Sequence, residues 1–166
     1  MSFPVSDFSL DSETGSLFNP AFCAMLLHRA AKEYEAKSGK PLPVVYAFIV
    51  LPCALHLPTR DSLPSSTATS MWGWVRSHPV LLGDFAERAR NFRSFTAAAV
   101  RFGLQCGALT GELGSLRAGT LRRRPRDLRP TNDWQDCVQA AQFLGRWLAA
   151  VNSDEATVLA QWGVRP

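Results

Sequence analysis

The apolar positions of this chain recur mostly at helical spacing. From Phe18 onward, Phe22, Met25, Leu26 and Ala30 fall on one face of a helix. Asn19 and Pro20 mark its start: Asn accepts from the free amides of a first turn, and Pro lacks an N–H that would go unpaired there. Ser38-Gly39 marks its end. The next segment, VVYAFIVLPCALH, is apolar on nearly every side, which predicts a helix buried by its neighbours and bent at Pro52. Val44, Val45, Ile49 and Val50 equally suit a strand that enters a short helix at Pro52, so both forms stay open.

HLPTRDSLPSSTATS, punctuated by prolines and small polar residues, predicts an exposed connection with a helix cap near Ser66 or Thr67. Met71, Trp72 and Val75 give a short helix its apolar stripe. Pro79 opens another helix, with Val80, Leu81, Leu82, Phe85, Ala89 and Phe92 inward and Glu87, Arg88, Arg90 and Arg93 outward. Ser94 caps a third, FTAAAVRFGLQCG, whose Phe95, Ala98, Ala99, Phe102 and Cys106 share a face. Residues 108–121 then alternate short apolar residues with glycines, and Gly111 and Gly114 can take the positive φ of a tight hairpin. Asn132 caps a long helix bearing Trp134, Val138, Ala141, Phe143, Leu144, Trp147 and Leu148, and Ser153 caps a short last one ended by Gly163.

Helix, helix, helix, hairpin is the order of a winged helix-turn-helix. The expected fold is therefore mainly α, a winged helix-turn-helix-like core with a β-hairpin wing at about residues 107–121 and additional N- and C-terminal helices. With 166 residues, 46% of them hydrophobic, the chain fits one mostly helical domain, residues 18–166, behind a polar arm at residues 1–17. The arm has neither the basic start nor the apolar centre of a secretory signal. The longest apolar run, Leu42 to Leu57, contains Pro43, Pro52 and His56 and is shorter than the roughly 20 residues a bilayer span needs. No membrane partner is expected, and the expected compartment is the cytoplasm.

The formal net charge of +4 conceals a segregation. Residues 86–129 hold ten Lys or Arg against three acids, while the segments before and after are slightly negative. Arg117, Arg122, Arg123, Arg124, Arg126 and Arg129 make up a basic run at 117–129, stiffened by Pro125 and Pro130. Their planar guanidinium forks suit phosphate and carboxylate, so the run is expected to meet double-stranded DNA or an acidic protein surface, with a solvated basic loop as the alternative. Trp134, Trp147 and Trp162 of the C-terminal helices are expected to fill the core or to dock on a partner.

Catalytic chemistry finds no such concentration. Cys23, Cys53, Cys106 and Cys137 lie thirty or more residues apart without metal-ligand spacing and read as buried thiols of a reducing compartment. His28, His56 and His78 have no acid or cysteine three or four residues further on, and each reads as structural. No phosphate-cradling loop is present, and Glu33 and Glu35 do not face each other on a helix. No catalytic residue, metal or cofactor is expected.

Four segments carry a resemblance when taken together in order and spacing. They are FNPAFCAMLLHRAAKEYEAKSGKPLPVVYAFIVLPCALHLPTRDSLP, SMWGWVRSHPVLL, FGLQCGALT and the terminal GRWLAAVNSDEATVLAQWGVRP. From about Phe18 to Pro166 the chain resembles the middle component of bacterial three-component ABC systems. The resemblance implies a small accessory protein beside an SMC- or Rad50-like ABC ATPase and a separate effector protein of the same operon, in conflict with phages and plasmids, with Lamassu defence systems as relatives. It also implies a linking role comparable to that of kleisin or winged-helix subunits of SMC complexes, and no catalytic residues. A free-standing winged-helix transcriptional regulator is the competing expectation, although Arg101 and Gln105 alone on the third helix would read bases.

Overall fold

The computed structural model describes residues 19–122 and 130–165. Two long helices, α1 (Pro20–Ser38) and α8 (Asn132–Ala150), form its axis. Between them the chain runs through strand β1 (Leu42–Pro43), a 3-10 turn (Val44–Tyr46), and helices α2 (Ala47–Ala54), α3 (Leu57–Ser62), α4 (Met71–Ser77), α5 (Pro79–Gly83), α6 (Phe85–Asn91) and α7 (Arg93–Gln105). The hairpin β2 (Leu109–Glu112) and β3 (Ser115–Ala118) follows α7, and helix α9 (Glu155–Gln161) follows α8. The strands form one antiparallel sheet in the order β1-β3-β2. Leu42 stands opposite Leu116, and Leu109 opposite Ala118.

The first helix forms as its ends predict. Asn19 Oδ1 accepts from the Ala21 amide at 2.9 Å, and Gly39, at φ 71°, donates its N–H to the Glu35 carbonyl. α1 and α8 run side by side in one direction. Along the seam Phe22 meets Trp134 with ring centroids 6.1 Å apart, and Glu33 accepts from Arg146 at 3.0 Å. Between these points the backbones nearly touch: a Cβ on Gly145 would stand 2.3 Å from the Ala30 carbonyl oxygen. Leu26, Leu27, Ala30 and Ala31 of α1 and Ala141, Leu144 and Leu148 of α8 are buried in this contact region and the core around it.

The apolar segment after α1 takes its helical form: Val44 and Val45 lie in the 3-10 turn and Ile49 and Val50 in α2, none of them in a strand. Leu42–Pro43 is strand, and from Ala47 the chain is helix, with Pro52 inside it and every residue but Phe48 buried. An all-round apolar helix is what a core enclosed on several sides requires. A second centre is aromatic. Trp74 meets Trp147 at 5.6 Å and Trp162 at 5.8 Å, and Trp162 meets Phe85 at 5.0 Å. The indole N–H of Trp147 donates to the Thr69 carbonyl at 2.7 Å and that of Trp74 to the Ser62 carbonyl at 2.9 Å, which holds the loop between α3 and α4 against the core.

Several local expectations are corrected. The connection after His56 is not wholly exposed: it contains α3, whose Thr59 and Arg60 are buried. Arg60 donates to the Ala54 carbonyl at 3.0 Å and Cys137 Sγ at 2.9 Å, and forms an ion pair with Asp133 of α8. The helix after this connection is capped by Ser70, later than Ser66 or Thr67, because Ser70 Oγ reaches the Gly73 amide. The helix from Pro79 is two, α5 and α6, and Val80 is exposed rather than inward, while Phe85 and Ala89 are buried as expected. Arg88 is half-buried, over the Phe85 ring at 5.4 Å and donating to Thr59 Oγ1.

α7 is rotated from the expected face. Thr96, Ala99 and Gly103 point inward, whereas Phe102 and Cys106 are exposed, because Gly103 lets Leu109 of the hairpin pack directly on the helix. Ser94 does not cap it. The caps of α8 and α9 are Thr131 and Asp154, each one residue from the expected position, since these are the side chains that reach the free amides of Trp134 and Thr157. Cys23, Cys53 and Cys137 are buried. Burial pushes the Cys23 thiol up to about 12 and the Cys137 thiol up to about 11, so both stay protonated and unreactive.

The α1–α8 contact yields a direct test. Gly145→Ala should destabilise the protein by about 1–3 kcal/mol, because the added methyl forces backbone apart and outweighs the gain in helix propensity. Gly83→Ala, where a Cβ would meet nothing within 4 Å, should be neutral or stabilising. Urea unfolding midpoints of the two variants check both signs.

Candidate nucleic-acid and partner interface

The β2–β3 hairpin, the expected wing, begins where α7 stops. Gly107, at φ 75°, ends the helix and turns the chain into β2. The hairpin loop is Leu113-Gly114, at φ 45° and 80°, so the positive φ expected at Gly111 belongs to Leu113, while Gly111 lies within β2. A two-residue loop with both φ values positive matches the twist of the flanking strands. Leu113 adopts it without the freedom of Gly or the local bonding of Asn and stands fully exposed at the tip, beside exposed Glu112.

The base of the wing is closed by main-chain bonds. Gly119 donates to the Ala108 carbonyl and Thr120 to the Gly107 carbonyl, each at 2.9 Å. A Cβ on Gly119 would lie 2.1 Å from the Gly107 carbonyl oxygen, so the exit strand passes only as glycine. Two side-chain contacts then fasten the wing to α1. Buried His28 Nε2 lies 3.0 Å from the Gly119 carbonyl, and Arg117 of β3 forms an ion pair with Glu35. Since a carbonyl only accepts, His28 is the tautomer that carries its proton on Nε2. Burial, and after it the charges of Arg29 and Lys32, hold its imidazole below the ordinary histidine range, against the opposing pull of the Gly119 carbonyl.

The sequence-expected binding residues separate into three groups. Arg117 is half-exposed and already paired with Glu35, and Arg122 is exposed just past the wing. Arg123, Arg124, Arg126 and Arg129 lie outside the described residues. Trp147 and Trp162 are each 1% exposed, so they belong to the aromatic core and do not form a docking surface on this chain. Trp134 is half-buried against Phe22. His28 was legible only as an amphipathic helix residue, because its partner is 91 residues away and is a backbone carbonyl, which no side-chain pattern records. His56, at 2.7 Å from Thr59 Oγ1, and His78, stacked on Trp74 at 4.3 Å, are structural.

Among the described residues no group of three or more His, Cys, Asp or Glu is placed to hold a metal ion, and no helix is long and apolar enough to cross a membrane. A family model described as ABC-three component (ABC-3C) system Middle Component 3 matches residues 8–166. No curated protein and no solved structure matches the chain.

His28 also predicts a pH response. Its folded pKa lies below the unfolded value of about 6.5, so its contribution to stability is present above that pH and is lost as pH falls from there toward the folded pKa. His56, lowered first by burial and then by Arg88, shifts the same way. Thermal melting should fall between about pH 7.5 and pH 5. His28→Gln, which donates without titrating, should flatten part of that slope. His28→Ala should cost about 1–3 kcal/mol by leaving the Gly119 carbonyl without its donor.

Proposed function

Because the chain belongs to the Middle Component 3 family of ABC-three component systems, we propose that it is a non-catalytic adaptor. In this role it links an SMC- or Rad50-like ABC ATPase to an effector of the same operon, in a cytoplasmic defence complex against phages and plasmids related to Lamassu systems. The basic run leaving the wing meets phosphate of double-stranded DNA held by the complex.

The observation that carries this proposal is the sheet order β1-β3-β2 between α1 and a hairpin that follows α7. A strand after the first helix pairing with the returning strand of a hairpin supports the winged-helix reading. The His28–Gly119 and Arg117–Glu35 contacts fix that wing at its base, so the arginines that follow start from a defined place on the surface. The tip itself carries Glu112 and Leu113 and no cation, which directs DNA contact to Arg122 and the residues after it.

The exposed side of α7 argues against a free-standing regulator. Phe102 and Leu104 are 40% and 43% exposed beside Arg101 and Gln105, and two large apolar side chains suit a protein surface better than a row of base edges.

An affinity pull-down of the tagged chain from its native operon, with and without nuclease, tests the adaptor role: the ABC ATPase should be retained after nuclease. Recovery of the chain alone, or of DNA alone, contradicts it. Changing Arg122, Arg123 and Arg124 to Ala should leave assembly intact and weaken DNA binding of the complex. The slope of log K against log salt should become shallower by about 0.9 for each phosphate that the variant no longer neutralises.

A further inference from the structure

An open groove of about 850 Å³ lies away from the wing, between the 3-10 turn, α6 and the C-terminal segment. Val45, Phe48, Ala86, Ala89, Leu159 and Val164 supply its apolar surface. Arg90, Arg93 and Arg165 stand around it, all three exposed. The fold builds this arrangement from distant sequence. Trp162 packs between Trp74 and Phe85, Gly163 turns the chain at φ 71°, and Val164 N–H bonds the Leu159 carbonyl at 2.9 Å, which returns Arg165 to the end of α6.

None of the three arginines around the groove is held in an ion pair among the described residues, whose pairs are Arg60–Asp133, Arg117–Glu35 and Arg146–Glu33. No acid among the described residues lines the groove. Like charges gathered around an apolar floor repel one another until carboxylates arrive, and an apolar floor gains free energy only when apolar side chains cover it. The groove offers no converging polar groups beyond the guanidiniums to orient a small anion, and its floor has nothing to give a phosphodiester backbone.

We propose that this groove docks an acidic segment with apolar anchor side chains, supplied by another protein component of the same three-component system. The proposal rests on the adaptor role above and places the protein contact on residues outside the β2–β3 hairpin. The apolar side chains fill the floor and set the lifetime of the complex, and the three arginines steer the acidic segment and set its salt dependence.

The test uses the full chain co-expressed with the other components of its own operon. Combined Arg90→Glu, Arg93→Glu and Arg165→Glu should weaken assembly by about tenfold or more, the scale on which charge steering acts, and Val164→Asp should weaken it as well. Arg76→Glu, an exposed charge reversal on α4 outside the groove, should leave assembly unchanged. Melting of each purified variant at the wild-type temperature shows that the fold survives; with the triple variant unfolded, Val164→Asp alone decides.

Wild-type assembly that persists unchanged in the folded variants overturns the groove and spares the adaptor role. Failure of the wild-type chain to assemble at all overturns both. Intact assembly with lost DNA binding assigns the groove to phosphate, and a wild-type dimer that the variants make monomeric assigns it to a second copy; either result overturns the proposal.

Discussion

The close approach of α1 and α8 at Ala30 and Gly145 is the constraint on which the other placements depend. Two helices that nearly touch through glycine and alanine leave no room for a side chain between them, so backbone contact sets their separation there. α1 carries His28 and Glu35, which hold the wing, while α8 carries Trp147 and Asp133, which hold the aromatic cluster and buried Arg60. Displacing the pair would therefore move the wing and the loop between α3 and α4 together.

Around that axis, charge is either neutralised within the fold or left on display. Arg60 is buried with both terminal nitrogens bonded, to a carbonyl, a thiol and a carboxylate, and its Nε without a partner; those bonds are how a cation survives removal from water. Arg117 and Arg146 pair with α1 and tie the wing and α8 to it. Arg122 beyond the wing and Arg90, Arg93 and Arg165 around the groove have no such partner among the described residues, and these unpaired cations are the ones the functional proposals use. Arg122 stands beside the exit of the hairpin, and Arg90, Arg93 and Arg165 stand around apolar side chains.

Much of the helical order was legible because caps and periods are local. Asn19-Pro20, Gly39 and Gly163 ended or began helices where expected, and the hairpin fell inside its expected bounds. What sequence could not reveal was set by tertiary contact. α7 turned Phe102 outward because Gly103 admits Leu109, and Leu113 took the turn conformation expected of Gly111. α3 formed in a stretch rich in proline and polar residues because Arg60 found its partners on α2 and α8. The groove was invisible for the same reason: Arg90, Arg93 and Arg165 read separately as helix surface and chain end, and only the docking of α9 brings them together.

Hydrogen–deuterium exchange on the full chain, alone, in the assembled complex, and in the complex with double-stranded DNA, tests the assignment of the groove to protein and of the arginine run to DNA most directly. Assembly should protect residues 85–93 and 159–165 without DNA, and DNA should add protection at 117–122 and beyond without altering the groove. Protection of the groove by DNA alone, or no protection of it on assembly, would contradict the account.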